Sequence, residues 1–205
     1  MFCREQSDEV PTTQQERSRA TQQRLLDATV DCLVEHGWAG TTTTLIAERA
    51  GLSRGAQLHH YPTKTALVLA AITHLTKRRA AELTAEAATL RTEPAPERVG
   101  HVVDMLAAAF TGPLFAAALE LWVAARTDPD LRDALVPMEA RMGREMHRIA
   151  VTLLDADESR PGVRQAVQAT LDLLRGLGVA NLLTDDTPRR DALLAAWKTQ
   201  LVRQL

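Results

Sequence analysis

From Arg17 onward, apolar side chains recur at three- and four-residue spacing along most of the chain. Leu25, Ala28, Thr29, Cys32 and Leu33 share one face of a helix, with Arg24, Asp27, Asp31 and Glu35 off it. Gly37 ends that helix as a C′ glycine does, and Trp38 behind it is placed to plug a small core. The run Thr41 to Thr44 resists a helix interior but caps one well. A short helix to about Ala50 then offers Leu45, Ile46, Ala47 and Ala50 for packing. Gly51-Leu52-Ser53 predicts a tight turn, with Ser53 as N-cap of a second short helix from Arg54 to about His60. Tyr61-Pro62-Thr63 breaks it, and Thr63 caps a long helix from Lys64 to about Leu90.

The rest of the chain reads the same way. Thr92-Glu93-Pro94-Ala95-Pro96 predicts a linker. Helices follow over about 97–110 and 114–126, parted by Thr111-Gly112-Pro113. Asp128-Pro129 pairs a cap with proline at the first helical position, and the helical region behind it reaches about Asp155, with Pro137 kinking or splitting it. After the loop Ser159-Arg160-Pro161-Gly162, Val163, Val167, Leu171, Leu174 and Gly178 make one helical stripe. Asp186-Thr187-Pro188 repeats the cap-then-proline signal, and the last helix carries Leu194, Trp197, Leu201 and Leu205. No strand, hairpin or internal repeat emerges, so the fold class is all-α.

Charge changes the picture locally. The net charge of the 205 residues is −2, which announces no nucleic-acid binder. Residues 17–64, however, carry six bases (Arg17, Arg19, Arg24, Arg49, Arg54, Lys64) against four acids, while residues 1–16 hold one base against four acids. A small basic segment on a mildly acidic protein suits a local nucleic-acid contact. The 45% apolar content supports a sizeable core. Cys3 and Cys32 belong to no ligand motif, so no disulfide is expected, and Cys32 reads as core packing. The opening MFCREQSDEVPTT lacks an apolar run, and no uncharged stretch of about 18 apolar residues exists, so neither a leader nor a membrane span is expected and the default compartment is the cytoplasm.

The sharpest signal is TTTTLIAERAGLSRGAQLHHYPTKTAL, residues 41–67. It reads as helix, glycine turn, helix. Ala47 supplies a small residue where two helices cross, Gly51 a turn position tolerant of positive φ, and Leu52 an apolar anchor for the second helix. Such a unit can offer one polar face to a major groove. The segment resembles the N-terminal signature of the TetR family, in Thr42-Thr43, Ile46-Ala47, Ala50-Gly51-Leu52-Ser53, Gly55, His60-Tyr61, Lys64 and Leu67, with Gly37-Trp38 before it. The resemblance spans roughly residues 17–67. Beyond them only length and helical character match. Residues 1–16, polar and aperiodic, read as a flexible tail, and the resemblance implies a three-helix helix-turn-helix DNA-binding domain (17–63) and a larger helical ligand-binding and dimerisation domain (64–205).

Within that frame Arg54 pairs with guanine and Gln57 with adenine. Gly55 lets the backbone approach. Thr43, Ser53, His59, Tyr61 and Lys64 reach phosphate. The chain departs from the family at Gln57-Leu58, where members often carry Leu-Tyr. The apolar residue falls one place later, about 100° around the helix, which would give Leu58 the core role and free Gln57 for DNA.

For the C-terminal domain the resemblance implies a cavity for a small, largely apolar effector. Candidate lining residues are Met105, Leu119, Trp122, Met142, Met146 and Leu173. His101, Glu120, Arg126, His147 and Arg175 are candidate polar anchors, with a surface or salt-bridge role as the simpler assignment. One recognition helix reads few base pairs, so a homodimer on a palindromic double-stranded operator is expected. Val163, Val167, Leu171, Leu174, Leu194, Trp197 and Leu201 are its candidate interface. The function implied is a repressor released by its effector, with an activator as the alternative. The six histidines form no metal-spaced set and no nucleophile elbow or phosphate loop occurs, so no enzyme, cofactor or metal is expected. A helical interaction protein without DNA binding is the other competing class, and the intact 51–64 segment argues against it.

Overall fold

The computed structural model describes residues 14–90 and 93–205. The described residues form nine helices and no strand. They are α1 (Gln14–Gly40), α2 (Thr43–Arg49), α3 (Arg54–His60), α4 (Lys64–Ala88), α5 (Ala95–Ala109), α6 (Pro113–Ala125), α7 (Pro129–Leu154), α8 (Val163–Ala180) and α9 (Thr187–Gln204). Cys3 and the tail up to residue 13 lie outside the described residues. Residues 14–16, assigned to that tail by composition, are the first turn of α1.

The expected punctuation governs the helix ends. Gly37 interrupts α1 at φ 62°, ψ −176°, and Gly40 closes it. Asp128 caps α7 by accepting from the Leu131 amide at 3.0 Å, with Pro129 behind it. Pro137 lies inside α7, which runs past it as one helix.

Two apolar clusters hold the helices together. The first joins Leu25, Cys32 and Leu33 of α1 to Ile46 of α2, Leu67 and Ile72 of α4, Leu121 of α6 and Leu131, Leu135 and Met138 of α7. The second gathers Val102 and Leu106 of α5, Phe115 of α6, Ile149 of α7, Val167, Leu171 and Leu174 of α8, and Leu194 and Leu201 of α9. Trp122, half-buried on α6, packs against both. Burial of this kind contributes roughly 1.5–3 kcal/mol for each large aliphatic side chain. No single helix among the described residues is long and apolar enough to cross a membrane.

Candidate nucleic-acid interface and effector cavity

The turn between α2 and α3 is built by backbone hydrogen bonds. Thr42 caps α2, its hydroxyl accepting from the Leu45 amide at 3.1 Å. At the far end Gly51 takes φ 64°, its amide donates to Glu48 O at 3.0 Å, and the Leu52 amide donates to Ala47 O at 2.9 Å. This is a Schellman ending, which needs a left-handed residue at the position of Gly51. Ser53 then caps α3 by accepting from the Ala56 amide at 3.2 Å. Ile46 and Ala47 are buried beneath the turn. Arg49 on α2 forms a two-pronged ion pair with Glu35 on α1, one arm at 2.6 Å.

α3 therefore leaves the body of the protein with a defined outer face. Ser53, Arg54, Gly55, Leu58 and His59 are exposed, as are Thr42 and Thr44 at the start of α2. Thr43 and Tyr61 are half-buried. The Tyr61 hydroxyl accepts from Gln22 Nε2 on α1 at 2.7 Å, which pins the end of α3. His60, expected to pack, is half-buried with its ring against Tyr61.

Two expected DNA contacts are turned inward. Gln57 is fully buried, and its Nε2 donates to Tyr61 O at 2.6 Å. Leu58, assigned to the core, is 45% exposed. The sequence reading of this pair is thus reversed. Position 57 is the buried one, and a glutamine fills it with its amide donating to the carbonyl that ends the helix. Lys64 is also held internally. Its ammonium donates to Trp38 O at 2.7 Å and Thr41 O at 3.1 Å, and sits 3.8 Å from the centre of the Trp38 ring. Burial pushes its pKa below that of a free lysine, with Asp128 pulling it partly back. It clamps α4 to the end of α1.

A compact turn, a short second helix with an exposed polar face, and a long helix leading away describe a helix-turn-helix. The family model described as bacterial regulatory proteins, tetR family, matches residues 25–71. The chain is similar to the HTH-type transcriptional regulator CymR of Pseudomonas putida, 32% identical over 183 residues, covering 86% of this chain and 87% of the relative. The chain belongs to the TetR family. Its relatives are transcriptional regulators that bind DNA through this unit, and not enzymes. Among solved structures the fold is similar to a protein described as a transcriptional regulator from Pseudomonas aeruginosa PAO1, with TM-score 0.70, 24% identity, and 89% and 90% of the two chains covered. It is also similar to one from Saccharomonospora viridis solved with choline, with TM-score 0.65, 18% identity, and 88% and 95% covered.

This TetR-family chain also has a cavity away from the helix-turn-helix. The cavity, of about 110 Å³, lies between α4, the end of α5, α6, α7 and the C-terminal half of α8. Its walls include Trp122, Met142 and Met146, as expected, together with Phe110, Phe115 and Leu114. Met105, Leu119 and Leu173 do not line it. They pack instead against the second apolar cluster. Sequence reasoning passed over Thr76, Arg79 and Glu139 as lining residues, and named Arg175 only as an anchor of lesser weight. Of the other anchors, His101 pairs with Glu93 at 2.7 Å, His147 with Glu158 at 2.8 Å, Arg126 is exposed, and Glu120 abuts Gly37. Among the described residues no three His, Cys, Asp or Glu side chains gather as a metal would need.

The stripes offered as a dimer interface point the other way. Val163, Val167, Leu171, Leu174, Leu194 and Leu201 are buried in their own subunit. Trp197 donates its indole N–H to Thr170 Oγ1 at 2.9 Å. The most apolar face of each of these helices is spent on the intramolecular core.

Proposed function

We propose that the protein is a repressor that binds a palindromic operator as a homodimer and leaves it when a small molecule fills the α4–α6–α7–α8 cavity. One observation carries the DNA half of this reading: α3 is anchored by Gln57 and Tyr61 while Arg54, Gly55, Leu58 and His59 stand free on its outer face. Arg54 is the base-reading side chain, suited to the two acceptors of guanine. Ser53, Thr43 and the edge of Tyr61 serve phosphate.

The dimer uses the outward faces of α8 and α9, opposite the stripes buried within the subunit. Ala169, Gly176, Val179, Leu193 and Ala196 are exposed there, and Leu183, in the turn joining the two helices, is exposed almost completely. Small residues allow two helices of each subunit to approach closely and form a four-helix bundle.

Effector and operator are linked through α6. One side of this helix carries Leu114, Phe115 and Trp122 into the cavity, and another presses Ala117 and Leu121 into the cluster that holds α1 and α4. A ligand favouring a shifted α6 disfavours the spacing of recognition helices that DNA requires, and DNA weakens the ligand by the same factor. A structural neighbour solved with choline supports small-molecule binding by a protein of this fold. Such a regulator works where the chromosome is, in the cytoplasm.

The test is to select bound fragments from random duplex and measure affinity for the winner against salt. A palindrome, a steep salt slope and a mass of two chains per operator are expected. Salt-insensitive binding, or none, refutes the reading.

A further inference from the structure

We infer that the cavity takes a small organic carboxylate, with its acid group at the Trp122–Arg175 end and its apolar body against Phe110, Phe115 and the methionines. This inference rests on the effector reading above and adds the chemistry of the ligand.

Three buried polar atoms belonging to cavity-lining residues have no hydrogen-bond partner: Thr76 Oγ1, Trp122 Nε1 and Arg175 Nε. Two are obligate donors and the hydroxyl can donate. Buried donors without acceptors are uncommon because they are costly, and three on residues of one cavity wall suit an acceptor-rich ligand that draws them inward. A carboxylate brings two oxygens and about four lone-pair sites.

Charge decides between a neutral acceptor and an anion. Arg79 is engaged by Glu82 and Glu86 on its own helix, at 3.3 and 3.5 Å. The Arg175 guanidinium spends Nη1 on Asp172 at 2.7 Å, while its buried Nε has no partner. Its carbon lies 5.8 Å from the centre of the Trp122 ring and 5.9 Å from that of Phe110, so the cation is already fixed at one end. A charged acceptor bonds such a donor more strongly than a neutral one. The same placement disfavours a cationic ligand, despite Glu139 in the wall, because Arg175 already occupies the aromatic corner. Size sets the remainder. At about 110 Å³ the space is smaller than the ~150 Å³ dry cavity known to hold benzene, so a short chain fits best, a single ring enters only as the walls give, and a long acyl chain does not fit.

The experiment uses the full chain and three acids, benzoate, cyclohexanecarboxylate and hexanoate, beside toluene and benzyltrimethylammonium. Calorimetry reads affinity, the indole N–H resonance of Trp122 reads location, and operator anisotropy reads release. At least one acid binds, shifts the Trp122 resonance and loses about tenfold or more affinity in both Arg175→Met and Trp122→Phe. Toluene, which needs no donor, loses less affinity than the acid in Trp122→Phe, and that difference separates the N–H from the ring volume removed with it. Binding by none of the acids, or equal binding in Trp122→Phe, overturns the carboxylate assignment. If toluene or the ammonium ion releases DNA while no acid binds, the effector reading survives and this one fails. If an acid binds as described without altering operator affinity, the reverse holds.

Discussion

The Glu120 carboxylate on α6 lies against the backbone of Gly37 on α1, so that a Cβ at position 37 would stand 2.8 Å from Oε2. Gly37 also has φ 62° and ψ −176°, a region open essentially to glycine alone. These two effects predict different outcomes. The carboxylate is the end of a flexible, exposed side chain and can move aside, whereas the backbone strain has no such escape. Gly37→Ala is expected to cost about 1–3 kcal/mol in denaturant unfolding. Adding Glu120→Ala should recover less than a third of it. Full recovery would assign the constraint to the side chain.

Gly178 presents the opposite case. A Cβ there would meet the Phe110 carbonyl oxygen at 2.1 Å, a ring atom of Phe115 at 2.8 Å, and nothing that can swing away. Gly178→Ala must push α8 off the α5–α6 turn. Overpacking of this kind costs roughly 1–3 kcal/mol, or about 2–4 °C in melting temperature for each kcal/mol at this chain length. Thermal melts check it, and an unchanged midpoint would contradict the close approach.

Gln57 and Leu58 give the cleanest contrast between two accounts of recognition. If Gln57 read adenine, Gln57→Met would relax sequence preference at one operator position. Its buried side chain predicts otherwise, namely operator affinity within about threefold and an unchanged preference. Stability should shift by less than about 1.5 kcal/mol, because the substitution removes the unpartnered Oε1 as well as the bond to Tyr61 O.

Leu58 stands where it can meet the methyl group of thymine, the one apolar mark in the major groove. Replacing thymines by uracil one at a time in the selected operator should weaken binding at one position per half-site. A methyl contact of this size is worth about 0.8 kcal/mol. In Leu58→Ala the same replacement should have no effect. Equal sensitivity in both proteins would remove Leu58 from the groove.

The caps and glycines made much of the fold readable in advance. Thr42, Ser53 and Asp128 cap the helices expected of them, and Gly51 takes the positive φ its turn needs. These are local effects, decided within four or five residues. What failed was always a question of partners. A stripe such as Val163, Val167 and Leu171 says that one face is buried, and nothing in the stripe says whether its own subunit or a copy covers it. The Gln57–Leu58 pair failed for the same reason, since polarity was taken to point outward when the end of α3 held a carbonyl to satisfy. The cavity was half legible. Trp122, Met142 and Met146 are bulky enough to stand out, but Thr76 and Arg175 join them only through helices distant in sequence.

Trp122 touches both apolar clusters and is the one half-buried side chain, among the described residues, common to them. The two clusters are joined by α6 and α7, which bury residues in both, and by this indole, which packs on each. An empty cavity beside that indole leaves each half free to soften at its own temperature, while an occupant cements the joint and makes them melt together. Heat uptake on warming thus carries the imprint of ligand: broad and divided without it, narrow and unified with it.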